Sequence, residues 1–220
     1  MGQEALQVIE PYMLYIETGL EIDQKGNIRK KAPSGAGKYH GDVAGGYDAK
    51  REESPKWQAE QTIIEGMLSN MPSGHWILDV PCGTGRFFKF YAEMGYCFRG
   101  MDMSADMLAI AGQKVVDQDK ARLMQGDVRK LKLGDKSVDA SVMVRLTRWL
   151  SPEDCQVAFK ELQRVTRDRI ILTTRITHQK PELSRPVELF LDALGDEWSL
   201  TENAEGAEPD YRILMFKRAQ

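Results

Sequence analysis

The chain has 220 residues, 42% of them hydrophobic and 29% charged, with a formal net charge of -3. That length holds one large domain, or one domain with an appendage, of ordinary globular composition. A pI near 5.7 excludes a strongly basic nucleic-acid surface, and no segment approaches the roughly 20 apolar residues that a bilayer span requires.

The opening MGQEALQVIE carries an acid and lacks an apolar signal core, which argues against a secretory signal. Cys82, Cys97 and Cys155 share no metal-like spacing. An odd, scattered set of thiols points to a reduced, cytoplasmic setting without a disulfide framework or a metal site. Residues 3–20 mix apolar and polar positions in a helix-like way around Pro11, and Asp23 to Gly46 reads as a glycine- and lysine-rich mobile loop. Ser54-Pro55 opens the next helix as N-cap and first helical position; it carries Ile63, Ile64, Met67 and Leu68 and ends near Gly74.

From there strands and helices alternate. The pattern predicts strands at Trp76–Val80, Cys97–Met101, Ala121–Gln125, Val138–Leu146 and Arg169–Arg175. Helices are predicted over Arg86–Met94, over Ala105–Val116 after the cap Ser104, over 152–167 after Ser151, and over Pro186–Leu194. Trp198–Glu202 and Tyr211–Lys217 flank a turn-rich segment and suit a closing antiparallel pair. Such alternation implies an α/β fold, a Rossmann-like, doubly wound and mostly parallel sheet covered on both faces. The expected division is an N-terminal helix and glycine-rich lid over 1–56 and a ligand-binding domain over 57–220.

In a sheet of this kind ligands bind outside the carboxyl ends of the strands. The stretch ILDVPCGTGRFF, residues 77–88, places Asp79 and a Gly83-x-Gly85 turn at that position. The glycines let backbone approach a ligand, and the following helix start offers free N–H groups. A dinucleotide site wants a third glycine, but that place holds Phe88. Asp79 would repel a pyrophosphate and pair with an ammonium. Asp102 lies 102 − 83 = 19 residues beyond the first glycine, close to the offset for binding ribose hydroxyls. Asp127 ends the third strand, where a carboxylate can accept from an adenine amine, and Met103, Met107 and Val128 offer apolar walls. Ammonium, ribose and adenine in this order describe S-adenosylmethionine.

From about Trp57 to Phe216 the chain resembles the class I S-adenosylmethionine-dependent methyltransferases, small-molecule branch, on LDVPCGTGRF, GMDMSADML, GDV and VDASVMVRL. The resemblance implies a seven-stranded sheet whose last strand is antiparallel, with S-adenosylmethionine as cofactor and S-adenosylhomocysteine as product. By position it implies that Asp79, Pro81, Cys82, Gly83 and Gly85 hold the methionine part and Asp102 the ribose. Asp127 and Val128 contact adenine, with Met103, Met107 and Val144 in the cofactor set. Tyr47, Asp48 and Arg51 stand where members carry a Tyr-Asp-x-x-x-Arg-like segment, and Tyr47 or Arg51 would close over the methionine carboxylate.

Cys82 follows the first strand rather than the fourth, so it reads as a small loop residue and not as a cytosine-C5 methyltransferase nucleophile. Val144-Arg145-Leu146-Thr147 lacks the Asn/Asp-Pro-Pro-Tyr motif that the resemblance would associate with planar amines in DNA or glutamine. His178, just past the fifth strand, is a candidate general base beside its reading as a solvated loop histidine. Arg145, Arg148, Arg175 and Arg185 cluster in strand-end segments and leave open an anionic small-molecule acceptor. A non-catalytic S-adenosylmethionine-binding sensor or partner subunit, or another reaction on the sulfonium ligand, would carry the same cofactor motif. Neither the acceptor nor the oligomeric state is written in the sequence.

Overall fold

The computed structural model describes residues 20–22, 28–30, 53–177 and 183–219. A short antiparallel pair, β1 (Leu20–Ile22) and β2 (Ile28–Lys30), comes first, so the predicted 23–46 loop contains a strand. The elements that follow are α1 (Pro55–Leu68), β3 (Trp76–Asp79), α2 (Phe88–Glu93), β4 (Cys97–Asp102), α3 (Ala105–Gln113) and β5 (Ala121–Gln125). Then come β6 (Val138–Met143), α4 (Pro152–Val165), β7 (Thr166–Arg175), α5 (Glu188–Leu191), β8 (Trp198–Glu205) and β9 (Tyr211–Arg218).

β3 to β9 form one sheet in the order β5-β4-β3-β6-β7-β9-β8. The pairs β3–β4, β4–β5, β3–β6 and β6–β7 are parallel, whereas β9 runs antiparallel to both β7 and β8. The expected seven-stranded sheet with a reversed last strand is therefore present. The chain moves from β3 outward through β4 to β5, then crosses back to β6 on the other side of β3. That reversal makes the carboxyl ends of β3 and β6 the switch point.

Alternate residues of each strand feed opposite faces, as the period of two requires. Leu78, Ile170, Leu172, Leu214 and Phe216 pack under α4 and α5 with Phe159, Leu162 and Phe190. Ile77, Ile171, Ile213 and Met215 pack on the other face with Ile64 and Leu68 of α1 and Phe88 and Tyr91 of α2. The side chain of Ser104 caps α3 by accepting from Met107 N–H at 3.2 Å, and that of Ser151 caps α4 by accepting from Asp154 N–H at 3.0 Å. Ser54 precedes Pro55 as expected, but its side chain makes no capping bond.

Several boundaries differ from the sequence expectation, each for a local reason. α2 starts at Phe88 rather than Arg86 because Gly83 and Gly85, at φ +54° and +77°, keep the chain in a turn. β6 stops at Met143 because Arg145 takes a left-handed φ of +59° and a 3-10 turn follows at Thr147–Trp149. α4 ends at Val165 and the chain passes straight into β7 at Thr166, three residues earlier than the predicted strand. The helices predicted over 105–116 and 186–194 shorten to α3 and α5. No helix among the described residues is long and apolar enough to cross a membrane.

Phe88, which occupies the place of a third glycine, is 1% exposed. The room for its ring comes from glycines elsewhere. A Cβ on Gly100 of β4 would lie 2.7 Å from Phe88 Cζ, and one on Gly85 would lie 2.6 Å from Phe88 Cδ2. Phe98 flanks the same ring at 4.3 Å between centroids. Helix and sheet thus approach across an aromatic ring, with the missing side chain on the strand instead of the helix. Gly100→Ala is expected to cost about 1–3 kcal/mol by overpacking. It should lower Tm by about 2–4 °C per kcal/mol, read by thermal melting, and Phe88→Leu in the same chain should recover part of the loss.

Candidate functional site

The site is built from the turn after β3. Asp79 closes β3, is 1% exposed, and accepts a hydrogen bond from the Tyr91 hydroxyl of α2 at 3.4 Å. Burial pushes its carboxyl up to about 8; the Tyr91 hydrogen bond opposes that rise, Asp102 adds to it, and Arg86 opposes it. Pro81 and Cys82 lead into the glycines, and Cys82 is 4% exposed with burial raising its thiol well above the ordinary range. A thiol so held is a packing residue and not a nucleophile. At Gly83 no heavy atom lies within 4 Å of the position a Cβ would take, so that face of the turn opens onto free space.

Asp102 ends β4 beside this turn. One carboxylate oxygen accepts from Gly83 N–H at 2.9 Å, the other from Ser104 N–H at 2.8 Å. Burial raises its pKa, and the backbone N–H bonds pull it down. The Met103 backbone also hydrogen-bonds this carboxylate, whose roughly four lone-pair sites leave capacity for a ligand hydroxyl. Met103 is 45% exposed, its carbonyl held by Gln125 Nε2 at 2.8 Å, while Met107, Val128 and Val144 are buried.

Asp127 is placed at the end of this row but is already engaged. Its oxygens accept from the Arg129 guanidinium at 2.6–3.1 Å, and Arg129 also bonds Asp154 at 2.8 Å. An adenine amine would share the carboxylate with Arg129. Tyr47, Asp48, Arg51 and His178 lie outside the described residues.

The four arginines from the strand ends each have polar or aromatic partners of their own. Arg145 bonds Glu60. Arg175 bonds Glu208 and Asp210 of the β8–β9 turn. Arg185 is 4% exposed and donates to the Leu150 and Ser184 carbonyls. Arg148 lies over Trp149 at 4.8 Å. Arg145 and Arg175 both face the Tyr211 ring, at 6.0 and 5.6 Å from its centroid.

Sequence reasoning missed the residues that α1 brings to this edge. Glu60 is buried at 1% exposure between Arg86 and Arg145, Trp57 stacks on Arg86 at 3.7 Å, and Tyr211 donates to Thr173 Oγ1 at 2.7 Å. A signal was present. Trp57, Glu60, Ile64, Met67 and Leu68 form one stripe at helical spacing, and the acid falls inside it. Among the described residues no group of three or more His, Cys, Asp or Glu side chains is placed to hold a metal.

A buried carboxylate at the end of β3, an open glycine turn and a second carboxylate braced across that turn coincide at the switch point. They fit a ligand with an ammonium and a ribose and offer nothing to a pyrophosphate. A family model described as a methyltransferase domain matches residues 77–169. Over those residues the chain has a methyltransferase domain of the class I, S-adenosylmethionine-dependent type.

S-adenosylmethionine is the cofactor of such domains. The methyltransferase domain is similar to the malonyl-[acyl-carrier protein] O-methyltransferase of Pectobacterium atrosepticum, 33% identical over 129 residues, 58% of this chain and 47% of that one. It is also similar to the dTDP-3-amino-3,6-dideoxy-alpha-D-glucopyranose N,N-dimethyltransferase of Streptomyces fradiae, 34% identical over 98 residues, 44% of this chain and 37% of that one. The matches therefore span less than half the length of either relative. In fold the chain resembles the magnesium protoporphyrin IX methyltransferase of Synechocystis PCC 6803 with bound S-adenosylhomocysteine. The TM-score is 0.63 at 17% identity, covering 74% of this chain and 83% of that one.

Asp79 gives the methyltransferase domain a testable proton linkage. In the empty protein the carboxyl holds its proton up to about pH 8. An ammonium seated beside it favours the ionised form, so binding below pH 8 releases a proton. Affinity for S-adenosylhomocysteine should rise as pH increases from 6 to 8 and then level. Calorimetry at pH 7 in buffers of different ionisation enthalpy should show proton release, which Asp79→Asn removes.

Proposed function

We propose that the chain transfers the sulfonium methyl of S-adenosylmethionine to a small acceptor, free or carried as a thioester. The observation that supports this reading is the convergence of Asp79, the Gly83–Gly85 turn and Asp102 on the carboxyl edge at the switch point. In this reading Asp79 receives the ammonium, Asp102 the ribose hydroxyls through the lone pairs that its backbone partners leave free, and Met103, Met107, Val128 and Val144 flank the adenine. Asp127 accepts the adenine amine beside Arg129.

S-adenosylmethionine supplies an already activated methyl, so the chain's work is alignment of the acceptor and exclusion of water. Charge is lost as a sulfonium and a nucleophile react, which a dry site favours. The buried Trp57 ring, stacked over Arg86 at 3.7 Å, excludes water from this edge. The relatives' printed acceptors, a malonyl group on acyl carrier protein and the amino group of a nucleotide sugar, set the first panel.

Methyl-label transfer from S-adenosylmethionine should be measured with a malonyl thioester, an amino-sugar nucleotide and a metabolite extract. Transfer to any of them is expected. Binding without transfer to any acceptor would favour the non-catalytic sensor instead. Asp102→Ala should weaken S-adenosylhomocysteine binding about tenfold to a hundredfold, the loss of a hydrogen bond to a charged group.

A further inference from the structure

Helix α1 carries one carboxylate in its buried stripe, and two guanidiniums close on it. Arg86 Nη1 lies 2.5 Å from Glu60, and Arg145 Nε lies 3.0 and 3.2 Å from its two oxygens. The two arginines belong to the two turns that bracket the switch point. Arg86 directly follows Gly85, and Arg145 stands two residues beyond β6. Both are fixed in place. Arg86 also donates to Gln61 at 3.2 Å and to the Trp57 carbonyl, with the Trp57 ring 3.7 Å from its guanidinium. Arg145 donates its backbone N–H to Thr173 Oγ1 at 2.8 Å and lies 4.9 Å from the same Trp57 ring.

This arrangement matters for a cofactor that changes charge. S-adenosylmethionine carries a positive sulfur, and the product S-adenosylhomocysteine does not. Two guanidiniums at the ligand edge disfavour the cation, and their field reaches the turn, since Arg86 acts electrostatically on Asp79. Low-dielectric surroundings strengthen that repulsion.

We propose that Glu60 is a charge-compensating residue that lets the sulfonium cofactor bind beside Arg86 and Arg145, and so sets the balance between cofactor and product affinity. The inference rests on the cofactor reading above. Replacing Glu60 by glutamine keeps the size and most hydrogen bonding and makes the local charge one unit more positive, whatever else pairs with either arginine. Replacing Arg145 by glutamine makes it one unit more negative.

The measurement is the ratio of Kd for S-adenosylmethionine to Kd for S-adenosylhomocysteine, by calorimetry on the full chain. Glu60→Gln should raise that ratio about threefold to tenfold, and Arg145→Gln should lower it, by the Coulomb effect of one charge at a partly buried site. A purely structural role moves both affinities together and leaves the ratio unchanged. Glu208→Gln, which cuts the other anchor of α1 at Lys56 (2.5 Å) and frees Arg175 farther along the edge, should move the ratio less than Glu60→Gln does. Should Glu60→Gln fail to fold, the opposite-signed shift in Arg145→Gln carries the test alone. An unmoved ratio, shifts of the same sign in Glu60→Gln and Arg145→Gln, or a Glu208→Gln effect equal to that of Glu60→Gln would overturn the inference. Wild-type protein that binds neither ligand would overturn the cofactor reading itself.

Discussion

The Asp102 carboxylate bridges two backbone N–H groups that belong to different turns, Gly83 after β3 and Ser104 after β4. Gly83, at φ +54°, finds its N–H acceptor in this carboxylate, which holds the glycine turn together with the Cys82 N–H on the Met101 carbonyl of β4 at 2.8 Å. Through it, the end of β4 sets where the turn of β3 lies. The same carboxylate is 9% exposed and retains acceptor capacity, so the group that shapes the turn also faces whatever the turn encloses. Pre-positioning of this kind removes an ordering cost from binding.

Around that brace the fold treats two equally buried acids in different ways. Asp79 is enclosed with a tyrosine hydroxyl as hydrogen-bond partner, and burial keeps its proton on near neutrality. Glu60, equally buried, is instead matched with two guanidiniums. A buried carboxylate without a full counter-charge is costly, and one fully paired is a structural anchor. The two acids therefore differ in kind, one held neutral by burial beside a tyrosine and one paired with guanidiniums. They sit on adjacent elements at the same edge of the sheet.

Much of this was legible in residue order. Alternation of apolar runs with glycine and serine signals marks the sheet and most helices, because the side-chain period and the turn residues are local properties. The meeting of Asp79, Gly83, Gly85 and Asp102 at one edge follows from that topology. Other features depend on contacts far apart in sequence. Phe88 fits only because Gly85 and, twelve residues on in strand β4, Gly100 have no side chains. The left-handed backbone at Arg145 is stabilised through its N–H on Thr173, and the straight passage from α4 into β7 through the Ser141–Thr166 hydroxyl contact of 2.6 Å. Glu60 stood in plain view within an apolar stripe, but its partners are 26 and 85 residues away.

The acceptor side shows where such reasoning meets its boundary. Sequence proximity to strand ends gathered four arginines into one group, whereas the fold distributes them among Glu60, the Glu208–Asp210 pair, the Leu150 carbonyl and the Trp149 ring. A guanidinium offers five donors, and a loop with unpaired carbonyls or carboxylates competes for them as effectively as a ligand does. Arg185 illustrates the outcome: it is 4% exposed and spent on backbone carbonyls, so it shapes the rim without presenting charge to it. Cofactor recognition is written in one short turn and two strand ends, so it survives in the sequence as a motif. The partners of the strand-end arginines come from distant segments, so their arrangement is a property of the assembled edge and of no single stretch.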